Sequence, residues 1–219
     1  MKNKPKTNLL LTRKKRARLI IQKLKKLFPK AKMALNYSDN WELLVAVELS
    51  AQCTDKKVNE VTVKLFKKYC SLDDYVRARQ KNFEQDIYST GFYRNKAKNI
   101  LKAAKLVKNK FGGKLPKTMK EMLTLPGVAR KTANVVLGNA YGVTEGIAVD
   151  THVRRLVKRF GLTKHNDPVK IERDLMNLIP KRDWFKATYL FIEYGRKYCA
   201  AKPHAHNKCP LNKFDAETG

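Results

Sequence analysis

Residues 125–136 read LPGVARKTANVV. Pro126 and Gly127 break the chain, and a helix-compatible run follows at once, with Lys131 in its first turn. Upstream, Thr118 and Glu121 form a capping box before MLTL. The pattern predicts two helices, 119–125 and 130–140, joined only by Pro126, Gly127, Val128 and Ala129. So tight a reversal, with glycine at its turn, directs backbone N–H groups outward at the start of the second helix, where a phosphate can bind. Val128 is placed to plug the space between the helices. The same spacing also describes an ordinary αα-hairpin, so the turn alone leaves both readings open.

Working outward, the chain is a procession of helices. Asp39 and Glu42 form a capping box before WELLVAVEL, and Asp55 is expected to cap a helix with Val58, Val61, Leu65, Phe66 and Tyr69 on one side. Asn82 is read as the cap of a short stretch ending at Gly91. Residues 94–111 repeat apolar side chains at helical spacing and stop at Gly112-Gly113. Asp150 is expected to cap a helix to Phe160, Asp167-Pro168 opens another to Ile179, and a last helix runs over 184–198. Period-2 alternation is nearly absent, so the fold class is all-α.

The composition points to a partner. The 219 residues include 48 Lys and Arg against 19 Asp and Glu, a net charge of +29. That excess suits a polyanion, because each neutralised phosphate releases bound counterions; nucleic acid is the first reading and an acidic membrane surface the main rival. Residues 1–38 hold 13 Lys or Arg and no acid. Within them Leu19, Ile20, Leu24, Leu27 and Phe28 form a helical stripe, read as docking on the rest of the chain rather than on a membrane. No apolar run is long enough to span a bilayer, and no signal-peptide core is read at the N-terminus. Cys53, Cys70, Cys199 and Cys209 fit a reducing cytosol better than a disulfide framework.

LPGVARKTANVV followed by IAVDTHVRRL, together with LLVAVELSAQCTD and TGFYRNKA, resembles the endonuclease III family of helix-hairpin-helix DNA glycosylases over roughly residues 13–200. The resemblance implies two helical domains flanking a DNA-binding cleft: a central one over 37–144 with the hairpin, and a second built from 1–36 and 145–219. It implies a bifunctional base-excision enzyme that removes oxidised pyrimidines and cleaves abasic sites. Its partner would be damaged double-stranded DNA, met by a cytoplasmic, nucleoid-associated monomer. The alternatives are a non-catalytic architectural protein on the same fold and a glycosylase for another lesion.

By resemblance Lys131 is the nucleophile and Asp150 the catalytic carboxylate. An ammonium has no lone pair, and a free lysine has a pKa of about 10.4. A helix N-terminus and neighbouring cations both favour the neutral amine, and Lys131 has both around it in this sequence. The base must leave the stack before attack, so something must fill the hole. The resemblance assigns Gln52 and Phe92 to that role, with Arg94 and Lys96 at phosphates beside them. The hairpin contacts are Gly127, Val128, Ala129 and Arg130. Ala129 stands where the family usually has a second glycine; if that position required positive φ, alanine would cost about 1 kcal/mol.

The tail departs from the family, whose four terminal cysteines, spaced C-x6-C-x2-C-x5-C, hold a [4Fe–4S] cluster. YCAAKPHAHNKCPLNKFDAETG places Cys199, His206, Cys209 and Asp215 in that register. The expectation is that the cluster is lost and no cofactor is bound, the tail being held by Pro203, Pro210, Leu211 and Phe214. A mononuclear metal on the four register residues is the alternative.

Overall fold

The computed structural model describes residues 4–216, with side chains described from residue 12. Among these residues there are eleven α-helices and no β-strand: α1 (Lys4–Leu27), α2 (Asn40–Leu49), α3 (Asp55–Lys68), α4 (Leu72–Arg77), α5 (Gln80–Asp86), α6 (Tyr93–Phe111), α7 (Met119–Met122), α8 (Arg130–Tyr141), α9 (Thr151–Arg159), α10 (Pro168–Leu178) and α11 (Trp184–Lys197). None is long and apolar enough to cross a membrane. The chain divides into two compact units, Ala34–Glu145 and a second made of Met1–Met33 with Gly146–Gly219.

In the unit Ala34–Glu145, α2 is buried nearly all round, from Trp41 to Leu49. It packs against α3, α6 and α8. Asp39 caps it as expected, accepting from the Glu42 N–H at 2.8 Å. Thr54, not Asp55, caps α3, its hydroxyl accepting from the Lys57 N–H; Asp55 is the first helical residue. Asn82 lies inside α5, which starts after Arg79 with no side-chain cap. The sequence reading passed over α4, although Ser71 and Asp74 close a reciprocal capping box there. Tyr75, Phe83 and Tyr69 cluster there, their centroids 5.2–5.7 Å apart, with Phe83 edge-on to both tyrosines.

In the other unit, α1 lays Ala17, Ile20, Ile21, Leu24 and Phe28 onto a core shared with Val153, Leu156, Val157, Ile171, Leu175, Leu190 and Phe191. Each of these side chains larger than alanine, taken from water, contributes about 1.5–3 kcal/mol. The basic N-terminal helix is therefore an integral part of this core, although Leu19 of its expected stripe is exposed. Asp167 caps α10 with Pro168 at its first position.

Candidate active site and nucleic-acid interface

The hairpin is built from its sequence outward. Thr118 caps α7, accepting from the Glu121 N–H. Leu125 and Val128 bury their side chains, and the Val128 N–H closes the turn onto the Leu125 carbonyl at 3.1 Å. Val128 is thus the expected plug, and its side chain is a core contact rather than a DNA contact. Gly127 has φ +82°, and a β-carbon there would lie 2.7 Å from a Glu48 carboxylate oxygen and 3.0 Å from Asn99 Cβ. Glycine is required twice over, by conformation and by space. Ala129 has φ −87° and ψ 170°, an extended geometry open to any residue, so alanine in place of glycine costs nothing there. Ala129 offers no side-chain cap to α8. It is exposed with Gly127, while Arg130 and Lys131 are half-buried in the first turn. The buried face of α8, Ala133–Gly138, holds that turn against the core.

Beneath the hairpin lies a group that sequence reasoning did not mark. Glu48 is buried, and its Oε1 has no hydrogen-bond partner. Burial pushes its carboxyl up to about 8.

Gln52 and Phe92 share a backbone signature. Both are exposed, and they are the two non-glycine residues with left-handed φ among the described residues, at 53° and 49°. For a phenylalanine that conformation is strained, of order 1–3 kcal/mol. Phe92 is 64% exposed. Strained, protruding side chains of this kind belong at a ligand surface rather than in a core. Arg94 is also exposed and lies over the Tyr93 ring at 5.3 Å.

Lys96 corrects an expectation. It is 6% exposed, and its ammonium donates to the Leu49 carbonyl at 2.8 Å and the Thr90 carbonyl at 2.9 Å. Burial lowers its pKa. It cannot reach a phosphate; it ties together the two segments that present Gln52 and Phe92. In so basic a chain, proximity to Phe92 in the sequence did not distinguish a surface lysine from a buried one.

In the unit that contains residues 146–219, Asp150 caps α9, its Oδ1 accepting from the Val153 N–H at 2.8 Å. The preceding segment is held by Thr188, whose hydroxyl donates to the Ala148 carbonyl at 2.9 Å. One carboxylate oxygen is thereby fixed on the helix axis, which seats the group in one orientation.

The tail brings together a different set from the register set. The donor atoms of Cys199, His204, His206 and Cys209 lie within 4.8 Å of one another, a group compatible with metal binding. Asp215 is not among them: it forms a two-pronged ion pair with Arg159, with Nε donating at 2.7 Å and Nη2 closing the second contact. The second imidazole is His204, which lies close to His206 in the sequence and takes the place that register counting gives to Asp215. Two thiolates and two imidazoles do not match the four thiolates that normally hold a [4Fe–4S] cluster. Of the packing residues expected to hold the tail, Leu211 is fully buried and Phe214 packs on the core, whereas Pro203 is exposed.

Comparison with known proteins agrees on one family. Residues 45–181 match the model described as HhH-GPD superfamily base excision DNA repair protein. Endonuclease III of Synechocystis sp. is 50% identical over 202 residues, 92% of each chain. That of Bacillus subtilis is 46% identical over 198 residues, 90% of each chain. A solved non-covalent endonuclease III–DNA complex superimposes with a TM-score of 0.89 at 43% identity, covering 93% of this chain and 95% of that one. A trapped endonuclease III–DNA covalent intermediate matches with the same score and identity.

Proposed function

The chain belongs to the endonuclease III family of HhH-GPD base-excision repair proteins, and from that premise we propose how its own residues carry the family's chemistry. It is a DNA glycosylase and abasic-site lyase acting on double-stranded DNA. Its substrates are oxidised pyrimidines and the abasic sites they leave.

Lys131 is the nucleophile. Its neutral amine donates a lone pair to C1′ of the damaged nucleotide, and the glycosidic bond breaks with its electron pair going to the departing base. Loss of a proton from nitrogen and opening of the sugar leave a Schiff base between Nζ and C1′. Removal of a C2′ proton then expels the 3′ phosphate by β-elimination, cutting the strand on that side. Asp150 stabilises the cationic sugar as the base leaves and assists the proton transfers. Its cap bond engages Oδ1 and leaves Oδ2 for that work.

Gln52 and Phe92 occupy the space vacated by the extruded nucleotide, with Arg94 at a flanking phosphate. Gly127, Ala129 and Arg130 seat another phosphate on the hairpin. The observation that supports this reading best is Lys131 in the first turn of a hairpin helix with no side-chain cap, in a chain 46–50% identical to named endonucleases III.

Borohydride reduction on an abasic duplex tests it. Wild type should form a covalent adduct and Lys131→Ala should form none while still binding the duplex. An undiminished adduct in Lys131→Ala would assign the nucleophile elsewhere. A panel of lesion-bearing duplexes, scored by base release, tests the substrate class.

A further inference from the structure

The C-terminal cluster is a complete donor set of its own kind. We propose that Cys199, His204, His206 and Cys209 bind one zinc ion as a closed, tetrahedral structural site in place of an iron–sulfur cluster.

Geometry comes first. A tetrahedral zinc with sulfur at about 2.3 Å and nitrogen at about 2.0–2.1 Å needs ligand-to-ligand edges of about 3.4–3.8 Å. Cys209 Sγ lies 3.5 Å from His204 Nε2 and 4.0 Å from His206 Nδ1, and Cys199 Sγ lies 4.0 Å from His206 Nδ1. The first edge falls within that range and the other two lie just above it, so a small inward movement of His206 closes the set. The two imidazoles meet edge to face with centroids 4.0 Å apart.

Chemistry selects the ion. Thiolate and imidazole together favour zinc over the hard cations that need oxygen, and a tetrahedral S2N2 set is a zinc set. Two thiolates balance the charge of Zn2+, which suits buried Cys199 and Cys209. The surroundings orient the ligands: Arg155 Nη1 lies 3.4 Å from Cys199 Sγ, and its Nη2 donates to the Cys199 carbonyl. Asp215, the remaining register residue, is committed to Arg159.

Four protein ligands leave no open position, so the ion takes no part in strand cleavage. It supplies cohesion to a segment whose regular structure is limited to short 3-10 turns at His206–Lys208 and Asn212–Phe214.

The test uses the full chain purified from cells supplied with both iron and zinc. The expected result is one zinc per chain without acid-labile sulfide. Cobalt(II) exchanged into the site should give the visible bands of a tetrahedral thiolate complex. His204→Ala should weaken metal binding by about tenfold or more, since even outer-shell partners are worth 10–100-fold. Asp215→Asn should leave the stoichiometry unchanged. His204→Cys guards against a fold defect, because a third thiolate should intensify the sulfur-to-cobalt charge-transfer band. About four irons and four sulfides per chain would overturn the proposal. So would a folded, metal-free protein with two free tail thiols, zinc retained by His204→Ala but lost from Asp215→Asn, or an unchanged cobalt spectrum in His204→Cys.

Discussion

Glu48 lies directly under Gly127: a β-carbon on the glycine would come within 2.7 Å of the buried carboxylate. The hairpin turn therefore rests on an ionisable group whose pKa burial has pushed up to about 8. The folded state holds this proton where the unfolded chain, near 4.5, has released it. Stability contributed by the neutral form is full below pH 4.5 and lost as pH rises through 8, at up to about 1.4 kcal/mol per unit. Urea unfolding at pH 5, 7 and 9 should show that decline in wild type. Glu48→Gln should flatten it and exceed wild type in stability at pH 9. Equal slopes for the two proteins would show that Glu48 is not the titrating group.

Lys96 and Arg94, two positions apart, should part company on mutation. Lys96→Met removes the donor from two carbonyls and should cost about 2–3 kcal/mol of unfolding free energy. Arg94→Ala should change stability by no more than about 0.5 kcal/mol. It should instead weaken duplex binding and reduce the slope of log affinity against log salt by about one. A Lys96→Met protein as stable as wild type would contradict the buried anchoring described for it.

The left-handed backbone at Phe92 predicts a trade of stability for activity. Phe92→Gly should relieve the strain and stabilise the fold by up to about 1 kcal/mol, less whatever chain entropy glycine adds to the unfolded state. Base release from an intact lesion duplex should fall about tenfold, while cleavage at a preformed abasic site falls less, because no base has to be unstacked there. Equal losses on both substrates would argue against a role in extrusion.

Two substitutions separate the cap that Asp150 forms from the chemistry proposed for it. Asparagine is as good a cap as aspartate, so Asp150→Asn should leave the midpoint of unfolding nearly unchanged. Alanine should cost about 1 kcal/mol. Both should lose most base-release activity, because neither offers a carboxylate to the cationic sugar. Full activity in Asp150→Asn would reduce the residue to a helix cap.

Much of this was readable from the sequence, and the exceptions have a common cause. Caps and stop signals are local, so Asp39, Thr118, Asp150 and Asp167 could be read one turn at a time. The plug at Val128 followed from an apolar residue in so short a turn. What escaped depended on where distant chain arrives. Lys96 is buried because two carbonyls 47 and 6 residues away converge on it. Glu48 reads as a helix surface residue until α8 and the hairpin cover it. In the tail, spacing named Asp215, but Arg159, arriving from α9, claimed that carboxylate and left His204 to join the thiols. α4 went unread because six residues are too few to display a period, although its capping box was there to be seen.

The Arg159–Asp215 pair reaches further than the tail. α9 starts at the Asp150 cap and ends at Arg159, whose side chain grips Asp215 and whose carbonyl accepts the Ala216 N–H at 2.8 Å. A rod of nine residues, about 13 Å long, is thus pinned at its far tip by the last described stretch of the polypeptide. The end of the chain thereby clamps the far end of the same helix whose near end seats the Asp150 carboxylate, in addition to the core contacts of Val153, Leu156 and Val157.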